Sequence, residues 1–298
     1  MSTFAGPREQ TRARRPDEAG SVEVGGVEIG YEVFGTGDPT ILLLPTWTIV
    51  HSRFWKAQVP YLARHHRVVT YDGPGNGRSQ RPLDADAYTT EAVSAAALAV
   101  LDATGTEQAV LCSLSQGAQW ALWLAAHRPE RVLGSVFVGP ALALGARDPE
   151  REAAFAAFDE PYTSTEGWAK YNRSYWLDHY EDFAWFFFGR CFREPHSTKQ
   201  IEDCVGWALE TTPEVLGVES EAGGPSRETC LRWCARVRCP TLVLHGDRDE
   251  LIPDRVGAVL AEATRGTLVR LAGAGHIPLT RDPVQVNLLI REFVASLR

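Results

Sequence analysis

A chain of 298 residues, 44% hydrophobic and 10% aromatic, carries enough apolar side chain for a sizeable core, which excludes an intrinsically disordered protein. A formal net charge of −8 at pH 7, with no basic cluster that reverses it, argues against nucleic acid or an anionic membrane surface as a partner. No apolar run is long enough to span a bilayer, and length alone leaves one large domain or two ordinary ones open.

The first twenty residues, MSTFAGPREQTRARRPDEAG, hold four arginines but no apolar segment of the kind a secretory signal needs. Residues 1–20 therefore read as a disordered tail, and acids beside the arginines weaken the case for a nucleic-acid-binding arm. The protein is expected in the cytoplasm. SVEVGGVEIGYEVFG (21–35) reads as a hairpin turning at Gly25 and Gly26, an antiparallel edge to a sheet.

Apolar runs then alternate with helical patterns. Strands are expected at Thr40–Pro45, Arg67–Asp72, Gln108–Leu114, Leu133–Gly139, Thr241–Asp247 and Gly266–Ala272, runs too apolar for strands with one wet face. Helices are expected at Ser52–His65, Thr89–Thr104, Ser115–His127, Pro253–Thr264 and Pro283–Leu297. Such alternation is the signature of a parallel sheet built from βαβ units. It breaks over residues 141–238, an aromatic-rich stretch densest at Tyr171–Phe192. That stretch is too long for a crossover loop and reads as an inserted helical cap. The expected arrangement is an α/β core of residues 21–140 and 239–298, interrupted by the cap.

Six cysteines in a chain of this length do not make a disulfide framework. Cys230, Cys234 and Cys239 lie close together, yet no fourth Cys or His at zinc-site spacing accompanies them. They read as buried thiols, and neither a metal nor a cofactor is expected.

SLSQG, Ser113 to Gly117, lies where a buried strand must reverse sharply into a helix. The nucleophile elbow G-x-S-x-G has this shape, with small residues flanking a central serine; here Ser115 is central, Gly117 trails, and Ser113 replaces the first glycine. By itself the pattern also fits plain structural punctuation, because a serine at a helix start is commonly an N-cap. A serine hydroxyl needs a base to attack, and the base needs an orienting acid. Both follow in order, each after its own predicted strand: Asp249 in LVLHGDRDELIP and His276 in GAGHIPLTRDP. Asp247 is a competing acid two residues earlier.

With these residues together, the sequence resembles the α/β-hydrolase family. The resemblance rests on LLLP with Thr46 and Trp47, YDGPGNGRS (Tyr71–Ser79), SLSQG, HGDRD and GAGH, and is loosest over the cap. The stretch from Pro45 to Ser79 is also similar to a bacterial subgroup whose hydrolase domain is sometimes fused to a nucleotide cyclase, for which no residues remain here. The resemblance implies a mostly parallel sheet of about eight strands flanked by helices, with an inserted helical cap. It implies Ser115 as nucleophile, His276 as general base and then acid, and Asp249 as the acid orienting His276, matching a G-x-x-D turn counted from Gly246. The backbone N–H groups of Trp47 and Gln116 would form the oxyanion hole. Many relatives carry His-Gly where this chain has Pro45-Thr46, so a bulkier Thr precedes Trp47 in this loop.

Other tempting residues have plainer readings. GPGNG (Gly73–Gly77) lacks both the G-x-G-x-x-G spacing and a Walker lysine, so it is a tight turn. His65 and His66 suit a helix C-terminus, His51 is a candidate for touching substrate, and Trp185–Phe188 reads as cap packing. The leading expectation is a serine hydrolase acting through an acyl-enzyme on a small-to-medium ester, thioester or lactone with an apolar or aromatic acyl part. The alternatives are C–C bond hydrolysis, acyl transfer, or elimination or cyclisation at the same triad, and lastly a ligand-binding protein without catalysis. The expected partner is a small-molecule substrate, with neither nucleic acid nor membrane, and the aromatic cap offers a surface for a homodimer.

Overall fold

Two glycines at positive φ, Gly25 (58°) and Gly26 (82°), turn the chain between β1 (Glu18–Val24) and β2 (Val27–Phe34). Paired left-handed residues match the twist of a tight hairpin, and glycine adopts them without a Cβ penalty. The computed structural model describes residues 12–146 and 148–297. The expected tail of residues 1–20 is too long: Glu18 pairs with Val33, the Asp17 N–H donates to the Val33 carbonyl (2.9 Å), and the Asp17 carboxylate accepts the Gly35 N–H (2.6 Å). The open polar edge of β2 supplies the partners that order residues 17–20. Residues 1–11 of the expected tail lie outside the described residues.

After β3 (Ile41–Leu43) comes a 3-10 turn at Ser52–Trp55, then the short α1 (Val59–Leu62) and β4 (Val68–Tyr71). A continuous helix over Ser52–His65 does not form. Pro60 has no N–H to give the preceding turn and its ring crowds the carbonyl four residues back, so the helix restarts with Pro60 in its first turn. The chain continues through α2 (Thr90–Ala103), β5 (Ala109–Leu114), α3 (Gly117–His127) and β6 (Val132–Val138). The Thr89 hydroxyl caps α2 by accepting the Ala92 N–H at 3.3 Å.

Between β6 and β7 lie α4 (Pro149–Ala156), α5 (Arg173–Cys191), α6 (Thr198–Ala208), α7 (Pro213–Ala222) and α8 (Arg227–Cys234). The core resumes with β7 (Thr241–Gly246), α9 (Asp254–Thr264), β8 (Thr267–Leu271), α10 (Pro278–Arg281) and α11 (Pro283–Ser296). One sheet of eight strands runs β1-β2-β4-β3-β5-β6-β7-β8. β1 and β2 are antiparallel, and β4, β3 and β5 to β8 are mutually parallel.

Alternate residues along a strand face opposite sides, and each side has its own core. Ile41, Leu43, Val110 and Cys112 face α1, α11 and the helices α5 to α7. Leu42, Leu44, Ala109 and Leu111 face α2, α3 and α9. α8 lies within the expected cap but packs elsewhere. Its stripe of Cys230, Trp233 and Cys234 joins the α2, α3 and α9 side, as an i, i+3, i+4 apolar face requires. All six cysteines are free thiols, five of them buried. β8 is an edge strand and exposes Thr267 and Arg270, so it is less buried than its apolar run suggests. Among the described residues no helix is long and apolar enough to cross a membrane, and no group of His, Cys, Asp or Glu is arranged to hold a metal ion.

Candidate active site

Ser115 holds φ at +51°, outside the usual range for a residue with a side chain. Its N–H donates to the Val138 carbonyl at 3.0 Å, and its own carbonyl accepts the N–H groups of Ala118 and Ala141, each at 3.0 Å. These bonds pin the turn between β5 and α3 to the end of β6. Gly117 is required by close approach, because a Cβ there would sit 2.4 Å from the Pro45 carbonyl oxygen. Ser113 replaces the first glycine of the elbow without loss, since it is fully buried and its hydroxyl donates to the Val136 carbonyl at 3.2 Å. Gly117→Ala must push the Pro45 backbone aside. We expect a loss of about 1–3 kcal/mol in stability, read by denaturant unfolding, together with lower turnover as the two loops separate.

Strand register places the other groups around this turn. Leu43 of β3 pairs with Cys112 of β5, so Trp47 and Gln116, each four residues further on, leave adjacent parallel strands at one level. Neither backbone N–H has a hydrogen-bond partner among the described residues. The bulkier Thr46 is accommodated in this loop at 5% exposure.

Asp249 and His276 follow β7 and β8 on the same rim. His276 Nδ1 is 2.7 Å from Asp249 Oδ2, and the imidazole lies against Gly139, where a Cβ would come 3.3 Å from its Cε1. Gly139 directly follows Val138, whose carbonyl holds Ser115, so the imidazole stands beside the serine turn. The Ser115 hydroxyl itself has no hydrogen-bond partner among the described residues.

The Asp249 side chain is fully buried. Oδ1 accepts the N–H groups of Leu251 (2.8 Å) and Ile252 (2.9 Å), while Oδ2 faces both His276 and His245 Nε2, the latter at 3.3 Å. Burial alone would raise its pKa. The adjacent His276, the two histidine hydrogen bonds and the Ile252 N–H outweigh that and hold the carboxyl well below the ordinary range. Asp247 does not compete: it is exposed and accepts the Gly273 N–H at 2.7 Å.

The segment between β6 and β7 grips the site from both sides. At the histidine loop, the His276 N–H donates to the Cys191 carbonyl (2.8 Å) and the Gly275 N–H to Glu194 Oε1 (2.9 Å). At the serine side, Glu219 of α7 accepts from the Gln116 side-chain amide at 3.0 Å. Above Trp47 stand Tyr171, Trp176, Phe183 and Phe187, with ring centroids 4.9 to 6.2 Å from it. Of the aromatic run Trp185–Phe188, Phe187 meets Trp47, Phe188 is buried, and Trp185 is exposed. His51 is buried against Trp207, with Nε2 3.3 Å from Glu210 Oε2, so its ring is engaged by the α6 region. His245, Glu194 and Glu219 escaped sequence reading. His245 alone carried a local signal, four residues before Asp249.

Burial lifts the Glu219 carboxyl to about 8; nearby donors from Thr48, Gln116 and Trp47 only partly offset it. The folded protein therefore keeps the proton while the unfolded chain, with an ordinary value of 4.5, releases it. The stability this gives is complete below about 4.5 and is lost as pH rises to about 8. Glu219→Gln should remove that slope, so its stability relative to wild type should rise between pH 5 and 8.5 by on the order of 4 kcal/mol. Chemical unfolding at the two pH values reads it.

Comparison with known proteins agrees with this architecture. A family model described as alpha/beta hydrolase fold matches residues 39–283. The chain is 29% identical to 3-oxoadipate enol-lactonase 2 of Acinetobacter baylyi over 262 residues, 88% of this chain and 91% of that one. It is likewise 29% identical to a 2-hydroxymuconate semialdehyde hydrolase of a Pseudomonas species, over 81% of each chain. Among solved structures, a bromoperoxidase from Bacillus anthracis superposes with a TM-score of 0.79 at 20% identity, covering 93% of this chain and all of that one, which shows the shared fold. Sheet order, serine turn and family match together place this chain in the alpha/beta hydrolase family.

Proposed function

We propose that this protein is a serine hydrolase that cleaves a small-to-medium ester, thioester or lactone with an apolar or aromatic acyl part. The observation that carries the reading is the 2.7 Å contact between Asp249 and His276 at the rim where Ser115 is held at φ +51°. In this reading His276 takes the Ser115 proton as the oxygen attacks the substrate carbonyl. Asp249 keeps the ring oriented and stabilises the imidazolium. The N–H groups of Trp47 and Gln116 receive the developing oxyanion, the largest single source of stabilisation in such chemistry. His276 then gives its proton to the leaving oxygen or sulfur, leaving an acyl-enzyme. A water attacks the acyl carbon, passes its proton to His276, and Ser115 recovers it as the acid departs.

The apolar preference is supported by the rings gathered on Trp47, since binding pockets of this kind are mostly apolar with few polar groups. The ester and lactone preference is supported by the enol-lactonase relative. We propose that α4 to α7 serve as the cap over the cleft. A panel of aryl esters, thioesters and lactones tests the reading. The expected result is turnover of several members, with a burst of leaving group equal to the enzyme present. No turnover of any member would overturn it.

A further inference from the structure

Glu219 is 6% exposed, in the middle of α7, and is held there without a cation: its surroundings act on it through burial and through donors on Thr48, Gln116 and Trp47. Two of those three residues, Trp47 and Gln116, carry the backbone N–H groups proposed above for the oxyanion hole, and Thr48 follows Trp47. Two phenols, Tyr88 from the turn Ala85–Tyr88 and Tyr180 from α5, also lie close enough to feel its charge. Oε1 accepts the Gln116 amide at 3.0 Å. Oε2 is buried and has no hydrogen-bond partner among the described residues. The Thr48 hydroxyl donates instead to the Pro74 carbonyl at 3.3 Å.

Most buried polar side-chain atoms have a hydrogen-bond partner, so an unpaired carboxyl oxygen beside the serine turn calls for an explanation. Because burial keeps it protonated at neutral pH, Oε2 can carry an O–H that no group among the described residues receives. Water-excluded donors of this kind discriminate strongly, because a ligand lacking the matching acceptor leaves them unpaired. A carboxylate on the substrate would meet no positive charge among the described residues that act on Glu219, so the fitting acceptor is neutral.

We propose that Glu219 Oε2 donates a hydrogen bond to an uncharged keto or hydroxyl oxygen held close to the reacting carbonyl, so that Glu219 selects oxygen-bearing acyl chains over plain alkanoyl ones. The proposal deepens the ester and lactone reading and rests on it for the chemistry of the neighbouring carbonyl. Glu219 is a specificity residue in this scheme, and the bond-making steps remain with Ser115 and His276.

Two measurements test it. The first compares kcat/KM for a 3-oxoalkanoyl aryl ester and the alkanoyl aryl ester of equal length, each divided by its hydroxide rate. Wild type should prefer the oxo ester about tenfold or more. Glu219→Leu should lose that preference, and Glu219→Gln, whose amide still donates, should keep part of it. A preference below twofold in wild type, or one unchanged in Glu219→Leu, overturns the proposal. The second needs no turnover: a linear 2,4-diketone should raise the unfolding midpoint of wild type more than the monoketone of equal length does. The two ligands should act alike on Glu219→Leu, or on Glu219→Gln relative to wild type in reduced measure if the leucine variant does not fold. Equal shifts in wild type overturn the proposal. A diketone preference with no ester turnover would sink the hydrolase reading while leaving the role of Glu219 standing.

Discussion

Ser115→Ala should lower kcat for any turned-over ester by about 10⁴-fold or more, with the folded state intact. The methyl group removes the oxygen proposed to attack and nothing else that the turn depends on. The bonds that hold the elbow are made by the Ser115 backbone to Val138, Ala118 and Ala141, and alanine meets the +51° φ with much the same strain as serine. The unfolding midpoint should therefore move by no more than about 2 °C. Binding of a non-hydrolysable substrate analogue should persist, so the loss falls in kcat. An alanine variant that keeps a tenth of wild-type kcat would move the nucleophile elsewhere. Steady-state kinetics and thermal unfolding on the same preparation separate these outcomes.

Asp249→Asn should be nearly as damaging to turnover, by about 10⁴-fold, because an amide no longer selects the His276 tautomer that presents a free Nε2 nor stabilises the imidazolium. It should also weaken the fold, unlike Ser115→Ala. Asp249 gathers two backbone N–H groups and two histidines around a fully buried side chain, and removing its charge undoes the arrangement. The sign of the pH dependence follows from the lowered pKa. The carboxylate contributes stability above its ordinary value of 3.8 and loses it as pH falls further toward the folded-state value. The stability gap between wild type and Asp249→Asn should be full at pH 7 and narrow steadily below about 3.8, as denaturant titrations across that range would record.

What the sequence disclosed was whatever local sterics and short-range periodicity control. The strand runs are visible because residues buried on both faces leave no polar alternation. The serine turn is visible because a glycine must face the Pro45 carbonyl. Pro60 was legible too, and an expected helix over Ser52–His65 gave its proline too little weight. The choice between Asp247 and Asp249 turns on a loop shape that two residues of spacing do not encode; in the fold one caps Gly273 while the other meets His276. Aromatic composition announced helices over residues 141–238, but not their facing. Trp185 is 42% exposed while Phe187, two residues on, packs on Trp47, and α8 turns to the opposite core. Glu194 and Glu219 lie 81 and 103 residues from the loop groups they bond. Contacts of that separation arise only once the sheet has brought its loops to one rim.

The central claim is that one hydroxyl, beside a histidine braced by Asp249, is the reacting group. Treating the protein with a fluorophosphonate and mapping the modified peptide by mass spectrometry tests it most directly. The expected result is a single stoichiometric adduct on Ser115, absent from Ser115→Ala and much slower to form in Asp249→Asn. An adduct on another residue, or undiminished labelling of Ser115→Ala, would contradict it.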